Sequence, residues 1–174
     1  MGYKALIYGA GLFILSVMQT TVFARLSLFG ATPDLLLAAT LTLAMHDGEK
    51  TGAAAGIASG FLCSAIGGLS SPVYMLFAFL CGYLSGIASD HALSKNYPSF
   101  LAFSAFIYLA KGIFNVIDVS LYAENFNLLT TLSGVVIPEF FCSIILCSPV
   151  YFVFCALTRI FNKNHHERKD FIIK

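Results

Sequence analysis

Charged residues are scarce in this sequence: only 11% of its 174 residues are Asp, Glu, Lys or Arg, whereas 58% are hydrophobic and the mean hydropathy is +0.83. An ordinary soluble domain has about 25% charged residues, so the composition excludes that class. A membrane-spanning helix takes about 20 apolar residues, and the length therefore allows around six spans with short loops. The sequence predicts one compact all-α membrane domain and leaves no room for a soluble domain.

Catalytic motifs are missing as well. The sequence has no G-x-S-x-G, H-E-x-x-H or S-x-x-K pattern, and residues 48–51 only imitate a phosphate-binding loop because Glu49 stands where a glycine would precede Lys50. The five cysteines lie in apolar runs without a C-x-x-C spacing, so we interpret them as small buried residues. We therefore predict a non-enzymatic protein without a cofactor, a metal site or a nucleic-acid partner.

Small residues recur at every fourth position between residues 52 and 68. In an α-helix this spacing aligns them into one stripe with almost no side chain. Such a stripe lets two backbones in a bilayer approach closely enough for dispersion and Cα–H contacts to hold them. The small-residue stripe consists of Gly52, Gly56, Gly60, Ser64 and Gly68. We expect it to pack a central helix tightly, and a ligand or partner contact on the same face is the alternative.

A second stripe of small residues follows on the next apolar segment, residues 73–89. It consists of Ala78, Gly82 and Gly86, again four residues apart. Because only a short turn joins the two segments, we expect the two striped helices to pack antiparallel. The other predicted full spans are residues 5–24, residues 99–121, and a last span that starts near 134 or 138 and ends at 160.

A helix start is indicated at residues 32–34. Thr32 suits the cap, Pro33 suits the first helical position, and Asp34 suits the positive end of the helix dipole. The helix would run over residues 35–46 and close at Gly48. Counted from Pro33, it is only about 21 Å long, too short for about 30 Å of hydrocarbon. We expect it to be surrounded by protein, or the bilayer to thin around it.

The distribution of Lys and Arg predicts the topology. With six spans and the amino end inside, only Arg25 lies outside and Lys111 lies within a span. The remaining cations are all cytoplasmic in this arrangement: Lys4, Lys50, Lys95, Arg159, Lys163, Arg168, Lys169 and Lys174. We therefore predict a multi-pass protein with both termini in the cytoplasm. Residues 1–161 would form a six-helix transmembrane domain, and residues 162–174 a basic cytoplasmic tail.

Polar residues line one face of the predicted fifth span. They are Ser104, Tyr108, Lys111, Asn115 and Asp118. Lys111 would lie about 18 Å from the cytoplasmic side, near the bilayer centre, where a charge costs about 3 kcal/mol or more. It could be half of a buried structural pair, a transport site or a contact for a partner's membrane helix. No clear second charge lies at its depth, because Glu139 is predicted near the outer surface and could pair with Lys111 only if one helix is shifted.

The outer side is predicted to be mildly acidic. Asp34, Asp118, Glu124 and Glu139 gather there against Arg25 alone. This rim is either a solvated edge or a docking surface for the cationic face of an extracytoplasmic partner. The predicted partner- or ligand-binding residues are Gln19, Pro33, Asp34, Lys111, Asn115, Asp118 and Glu139.

Several features of the first half occur together. They are the Gln19-Thr20 step that ends the first span, the element Gly30-x-x-Pro33-Asp34-Leu35, the helix-closing Gly48, and the series Gly52, Gly56 and Gly60. Together they resemble the rod shape-determining protein MreD family. The predicted fourth helix fits more loosely through Tyr83 and Gly86, and the final third has no matching motif. Ser64 departs from the pattern, since many family members have an acid a turn after the glycine series.

The resemblance implies a non-enzymatic scaffold in the bacterial inner membrane. Such proteins belong to the cell-elongation machinery, with the bitopic partner MreC, the actin homologue MreB, and the RodA and penicillin-binding-protein pair that makes peptidoglycan. Membrane lipid is a further expected partner, and a homo-oligomer is left open. The family is similar in size and helix count to the substrate-binding subunits of energy-coupling-factor vitamin transporters. The alternative is therefore an uptake subunit whose outer mouth, around Asp34, Asp118 and Glu139, closes over a vitamin-sized ligand.

Overall fold

The computed structural model describes residues 2–23, 25, 32–67, 72–91, 96–122 and 131–172. The α-helices in these ranges are α1 (Gly2–Met18), α2 (Leu35–Asp47), α3 (Glu49–Gly67), α4 (Pro72–His91), α5 (Tyr97–Tyr122) and α6 (Ile137–Ile172). A π-helical turn at Gln19–Phe23 continues α1, and another at Leu132–Val136 precedes α6. The described ranges contain no strand, which confirms the predicted all-α class.

In the described part of the chain, three helical stretches are long and apolar enough to cross a membrane: Lys4–Phe23, Tyr97–Ile117 and Leu132–Thr158. Leu35–Asp47 and Val73–Ser89 are shorter apolar helices. The long stretches carry many exposed large apolar side chains, Phe106 and Ile145 among them, as expected of helices that face lipid. These helices are those of a membrane protein, and six complete crossings stay a prediction.

Four helices meet the start of α2 at one end of the bundle, which we call the Asp34 end. Gln19, just after α1, accepts hydrogen bonds from the first residues of α2, and Tyr74 of α4 donates to Asp34. Lys111 of α5 and Ser143 of α6 also contact Asp34. The Asp34 end therefore brings together segments from both halves of the chain.

The opposite end of α2 defines the Asp47 end of the bundle. Tyr8 of α1 donates a hydrogen bond to Asp47 at 2.6 Å, and Ser89 of α4 donates to the backbone oxygen of Met45 at 2.7 Å. The rings of His46 and Tyr151 of α6 lie 5.8 Å apart. Successive helices thus alternate in direction, and the start of α1 lies at the same end of the bundle as Tyr151.

Helix α2 forms the centre of the bundle. Every side chain from Leu35 to Met45 is buried, and none is more than 3% exposed. A helix buried on all faces must be surrounded by other helices, and α2 contacts α1, α3, α4, α5 and α6. Of the two expectations for this short helix, enclosure by protein is the one observed.

The helix α2 begins at Leu35 as predicted, but its cap lies two residues later than the predicted Thr32. Asp34 is the cap residue, and its Oδ1 accepts a hydrogen bond from the backbone N–H of Leu37 at 3.0 Å. Pro33 consequently lies before the cap, so its predicted place at the first helical position is wrong. The C-terminal end is as predicted: Gly48 has a φ of 87°, which favours glycine, and its N–H donates to the backbone oxygen of Ala44 at 3.0 Å.

The small-residue stripe of α3 faces α4. A Cβ added to Gly60 would lie 2.6 Å from the Cα of Met75, and one added to Gly56 would lie 2.8 Å from the Cα of Phe79. Real Cβ atoms essentially never approach another heavy atom within 3.0 Å. The two backbones are therefore in direct contact at both positions, as the four-residue spacing predicts.

The second stripe, on α4, forms the other side of the same interface with α3. A Cβ on Gly82 would lie 2.8 Å from the carbonyl carbon of Gly52, and one on Gly86 would lie 2.6 Å from the backbone nitrogen of Glu49. Ala78 between them is fully buried. Because residues of α3 meet residues of α4 in the reverse order, the two helices are antiparallel.

The predicted small-residue stripe has two further members, Ser64 and Gly68. Ser64 lies partly buried, and its hydroxyl donates to the backbone oxygen of Gly60 in its own helix at 3.0 Å. Gly68 lies outside the described residues. At the other end of the chain, α6 continues without a break to Ile172, across the predicted boundary between residues 1–161 and 162–174, which stays a prediction.

Candidate functional site

Gln19 connects the end of α1 to the start of α2. Its side-chain oxygen accepts hydrogen bonds from the backbone N–H groups of Leu35 at 3.0 Å and Leu36 at 3.2 Å. The first N–H groups of a helix have no partner within the helix, and Asp34 already satisfies that of Leu37. The polar step at the end of the first span is therefore a helix cap supplied by another segment.

The π-helical turn positions this cap. A π-helical turn holds one more residue than an α-helical turn and frequently occurs at functional positions. The hydroxyls of Thr20 and Thr21 both donate to the backbone oxygen of Val17, so they stay within their own helix. Gln19 is thus the residue of this step whose side chain reaches α2.

The carboxylate of Asp34 is the centre of the site. Its Oδ2 lies 2.6 Å from the Nζ of Lys111 and also accepts a hydrogen bond from the hydroxyl of Tyr74. The side chain is only 2% exposed. A carboxylate this deeply buried must be paired and hydrogen-bonded, and Asp34 meets both conditions with groups from α4 and α5.

The backbone of Asp34 is bound as well. Its N–H donates to the hydroxyl oxygen of Ser143 in α6 at 3.1 Å, and its carbonyl oxygen accepts from the hydroxyl of Tyr108 in α5 at 2.8 Å. Together with the carboxylate, every polar group of Asp34 has a partner. One residue therefore ties the start of α2 to α4, α5 and α6.

Lys111 lies between two carboxylates. Its Nζ is 2.6 Å from Oδ2 of Asp34 and 2.5 Å from Oε1 of Glu139, and it lies 5.5 Å from the centre of the Tyr74 ring. The other oxygen of Glu139 accepts a hydrogen bond from the side-chain nitrogen of Asn115 at 2.8 Å. Of the three interpretations of Lys111, the buried ion pair is the arrangement observed.

Asp34 and Glu139 both contact the ammonium group of Lys111. The estimate of depth from the sequence places both carboxylates on an outer rim and allows a Lys111–Glu139 pair only if one helix is shifted. The estimate counts 1.5 Å per residue along straight spans that all cross the bilayer. Helix α2 instead begins inside the bundle, and a lysine side chain extends well beyond its own backbone. Asp34 therefore belongs to the interior and not to a solvated edge.

The charges of this cluster do not cancel. Lys111 contributes one positive charge, and Asp34 and Glu139 contribute one negative charge each, which leaves one negative charge in excess. The side chains of Asp34, Lys111 and Glu139 are 2%, 10% and 14% exposed, so Glu139 is the most accessible member. The arrangement can fix the positions of helices and can attract a cationic group from outside the bundle.

Three hydroxyl groups surround Asp34. The hydroxyls of Tyr74, Tyr108 and Ser143 face Asp34 and act as hydrogen-bond partners. Among the residues that the structure describes, no group of three or more His, Cys, Asp or Glu side chains could hold a metal ion. The contacts that the described residues of the cluster make are ion pairs and hydrogen bonds.

Sequence reasoning missed two members of the site. Tyr74 and Ser143 are hydroxyl-bearing residues within apolar segments, and that isolated polarity is the signal that could have identified them. Of the predicted members, Gln19, Pro33, Asp34, Lys111, Asn115 and Glu139 lie together at the Asp34 end. The side chain of Asp118 lies outside the described part of the chain. No family model, curated protein or solved structure matches this sequence.

Proposed function

We propose that this chain is a non-enzymatic scaffold of the bacterial inner membrane, a component of the cell-elongation complex that binds MreC and helps organise peptidoglycan synthesis. The observation that carries the proposal is the cluster of Asp34, Lys111 and Glu139. Pro33, Asp34 and Gln19 contribute to the family resemblance, and all three lie where the helices converge. The same residues thus account for the resemblance and for the rigidity that a scaffold requires.

A fixed shape is the physical property that favours a scaffold. The backbones of α3 and α4 are in contact at Gly56 and Gly60, so neither helix can move towards the other. Asp34 fixes α2 against α4, α5 and α6. A bundle held at both places presents its outer surface in one arrangement, which suits an organiser of several partners.

Glu139 supplies the proposed contact with MreC. It carries charge that Lys111 does not fully neutralise, because Lys111 is shared with Asp34. A cationic group of the partner at the Asp34 end would be attracted to this excess charge. Since Glu139 is partly exposed, the attraction should weaken as salt is added.

The uptake alternative needs an open mouth around Asp34 and Glu139. In the described part of the chain, both carboxylates contact Lys111, and Asp34 is nearly inaccessible. A cavity formed by described residues lies at the other end of the bundle, beside Lys4 and Asp47. The burial of Asp34 and its pairing with Lys111 favour a scaffold over a subunit that closes around a vitamin.

The proposal is tested by purifying the tagged chain from its native membranes in mild detergent and identifying the bound proteins by mass spectrometry. We expect MreC with the wild-type chain, and a several-fold lower yield of MreC with Glu139→Gln. The amide of the new glutamine keeps a hydrogen-bond acceptor for Lys111 but removes the excess negative charge of the cluster. The melting temperature of the variant should therefore change little.

Glu49→Gln is the matched control, because it removes a carboxylate from the Asp47 end. It should leave the yield of MreC unchanged. A chain that carries a vitamin-sized molecule and an ATPase module, without MreC, would overturn the scaffold in favour of uptake. An equal loss of MreC in both variants would overturn the role of Glu139.

A further inference from the structure

A second site lies at the Asp47 end, between α1 and α3. A cavity of about 570 Å³ opens there, with α2 behind it. Its apolar walls are formed mainly by small side chains, among them Ala5, Gly9, Ala54 and Ala58. This volume lies within the range of about 300–1,000 Å³ that is usual for small-molecule sites.

The cavity is a groove that opens to the side of the bundle. Ala5, Gly9 and Ala54 are exposed, whereas Leu12 and Leu43 at its base are buried. A Cβ added to Gly9 would meet nothing within 4 Å, so this wall faces open space. From Lys50 to Ala58 the groove follows α3 for about 12 Å at 1.5 Å per residue.

The end of the groove is polar and carries more positive than negative charge. Lys4 and Lys50 both line it, with Asp47 as the carboxylate among its lining residues. The hydroxyl of Tyr8 donates to Asp47 at 2.6 Å, which orients this carboxylate. The groove thus combines a net positive end with an apolar slot, the complement of a molecule that has an anionic head and an apolar chain.

We infer that the groove binds an anionic phospholipid. The phosphate lies at Lys4 and Lys50, and one acyl chain follows the apolar wall past Gly9 and Ala58. A membrane helix of a partner is the poorer occupant, because Lys4 and Lys50 at the end of the groove favour an anionic group, which an apolar helix does not supply. The positive end also matches the leaflet that the distribution of Lys and Arg predicts to be cytoplasmic, where anionic lipids attract basic residues.

Native mass spectrometry of the purified full chain tests this inference. The protein is titrated separately with phosphatidylglycerol and phosphatidylcholine that have identical acyl chains. We expect phosphatidylglycerol to bind about tenfold more tightly, and the double variant Lys4→Gln with Lys50→Gln to bind the two lipids about equally. Equal binding of both lipids to the wild-type chain would overturn the inference.

The apolar part of the groove is tested by Gly9→Leu. The new side chain enters open space, so it should fill the slot and weaken the binding of both lipids without lowering the melting temperature. Gly134→Leu is its control, since a Cβ there also meets nothing within 4 Å but lies outside the groove. Unchanged lipid binding in Gly9→Leu would overturn the proposed path of the acyl chain.

A second double variant, Lys163→Gln with Lys169→Gln, is the control for a general attraction of basic residues to anionic lipid. It removes two positive charges from the basic tail, as many as the Lys4 and Lys50 variant removes from the groove. This variant should keep the preference for phosphatidylglycerol. A loss as large as that of the Lys4 and Lys50 variant would overturn the assignment to the groove. The lipid measurements do not depend on MreC, so their outcome is separate from that of the proposed function.

Discussion

The ammonium group of Lys111 lies 2.6 Å from the carboxylate of Asp34. This contact joins α5 to the residue that immediately precedes α2. Both groups are largely shielded from solvent, with 10% and 2% of their side chains exposed. In such surroundings an ion pair contributes less by its own attraction than by the penalty of leaving one partner alone. The pair therefore makes the stability of the bundle sensitive to changes at either residue.

Lys111→Met should destabilise the protein by about 3–5 kcal/mol, because it keeps most of the side-chain volume but leaves Asp34 and Glu139 without their cation. Thermal unfolding in detergent measures the change. The double variant Lys111→Met with Asp34→Asn removes the more buried of the two stranded charges and should melt above the single variant. A wild-type melting temperature for Lys111→Met would contradict a structural role for the pair.

Gly60→Leu should sharply reduce the amount of folded protein in membranes, because the backbone of Met75 occupies the space that the new side chain needs. Gly56→Leu should behave in the same way. Gly134→Leu provides the comparison, as its added atoms meet open space. Quantitative immunoblotting of membrane fractions measures accumulation, and normal levels of both core variants would refute close packing of α3 and α4.

Gln19→Met should destabilise the protein by about 2 kcal/mol, because the N–H groups of Leu35 and Leu36 lose their acceptor within a buried region. Hydrogen exchange followed by mass spectrometry should show faster exchange at the start of α2. Thr21→Val is a suitable control, since the exposed hydroxyl bonds only within its own helix. Unaltered protection of α2 in Gln19→Met would exclude the cross-helix cap.

Reporter fusions test the predicted topology. Green fluorescent protein should be fluorescent at either terminus, and alkaline phosphatase should be inactive at both, if the termini are cytoplasmic. The alternating helix directions agree with termini on one side, because Tyr8 and Tyr151 lie at the same end of the bundle. An active phosphatase at one terminus would show that the number of crossings is odd.

The helix-packing interface could be predicted because its signal is local. The four-residue spacing of Gly52, Gly56 and Gly60 places them on one face of one helix, and a short connection brings the next helix alongside. Likewise, the length of the segment after Asp34 already indicated a helix too short to span. These features depend on residues close in sequence and on the geometry of a single helix.

The ion cluster could be identified only in part, because it depends on how helices distant in sequence are offset along their axes. The position of Lys111 within an apolar segment marks it as an unusual charge, and the structure shows it paired with Asp34 and Glu139. These partners do not follow from the sequence, since they depend on the enclosure of α2 and on the packing of α6 on α5. The charged residues can be identified from the sequence, but which of them contact each other depends on tertiary packing.

The hydrogen bond between Asp34 and Ser143 also constrains how the protein is made. Ser143 belongs to the last helix, so it leaves the ribosome long after the short second helix has been translated. Until then the backbone N–H of Asp34 lacks its final acceptor, and the second helix lacks one of its walls. The amino-terminal half must therefore wait in an unfinished state for the carboxyl-terminal half, and a nascent chain stalled before the last helix should depend on membrane insertases or chaperones for protection.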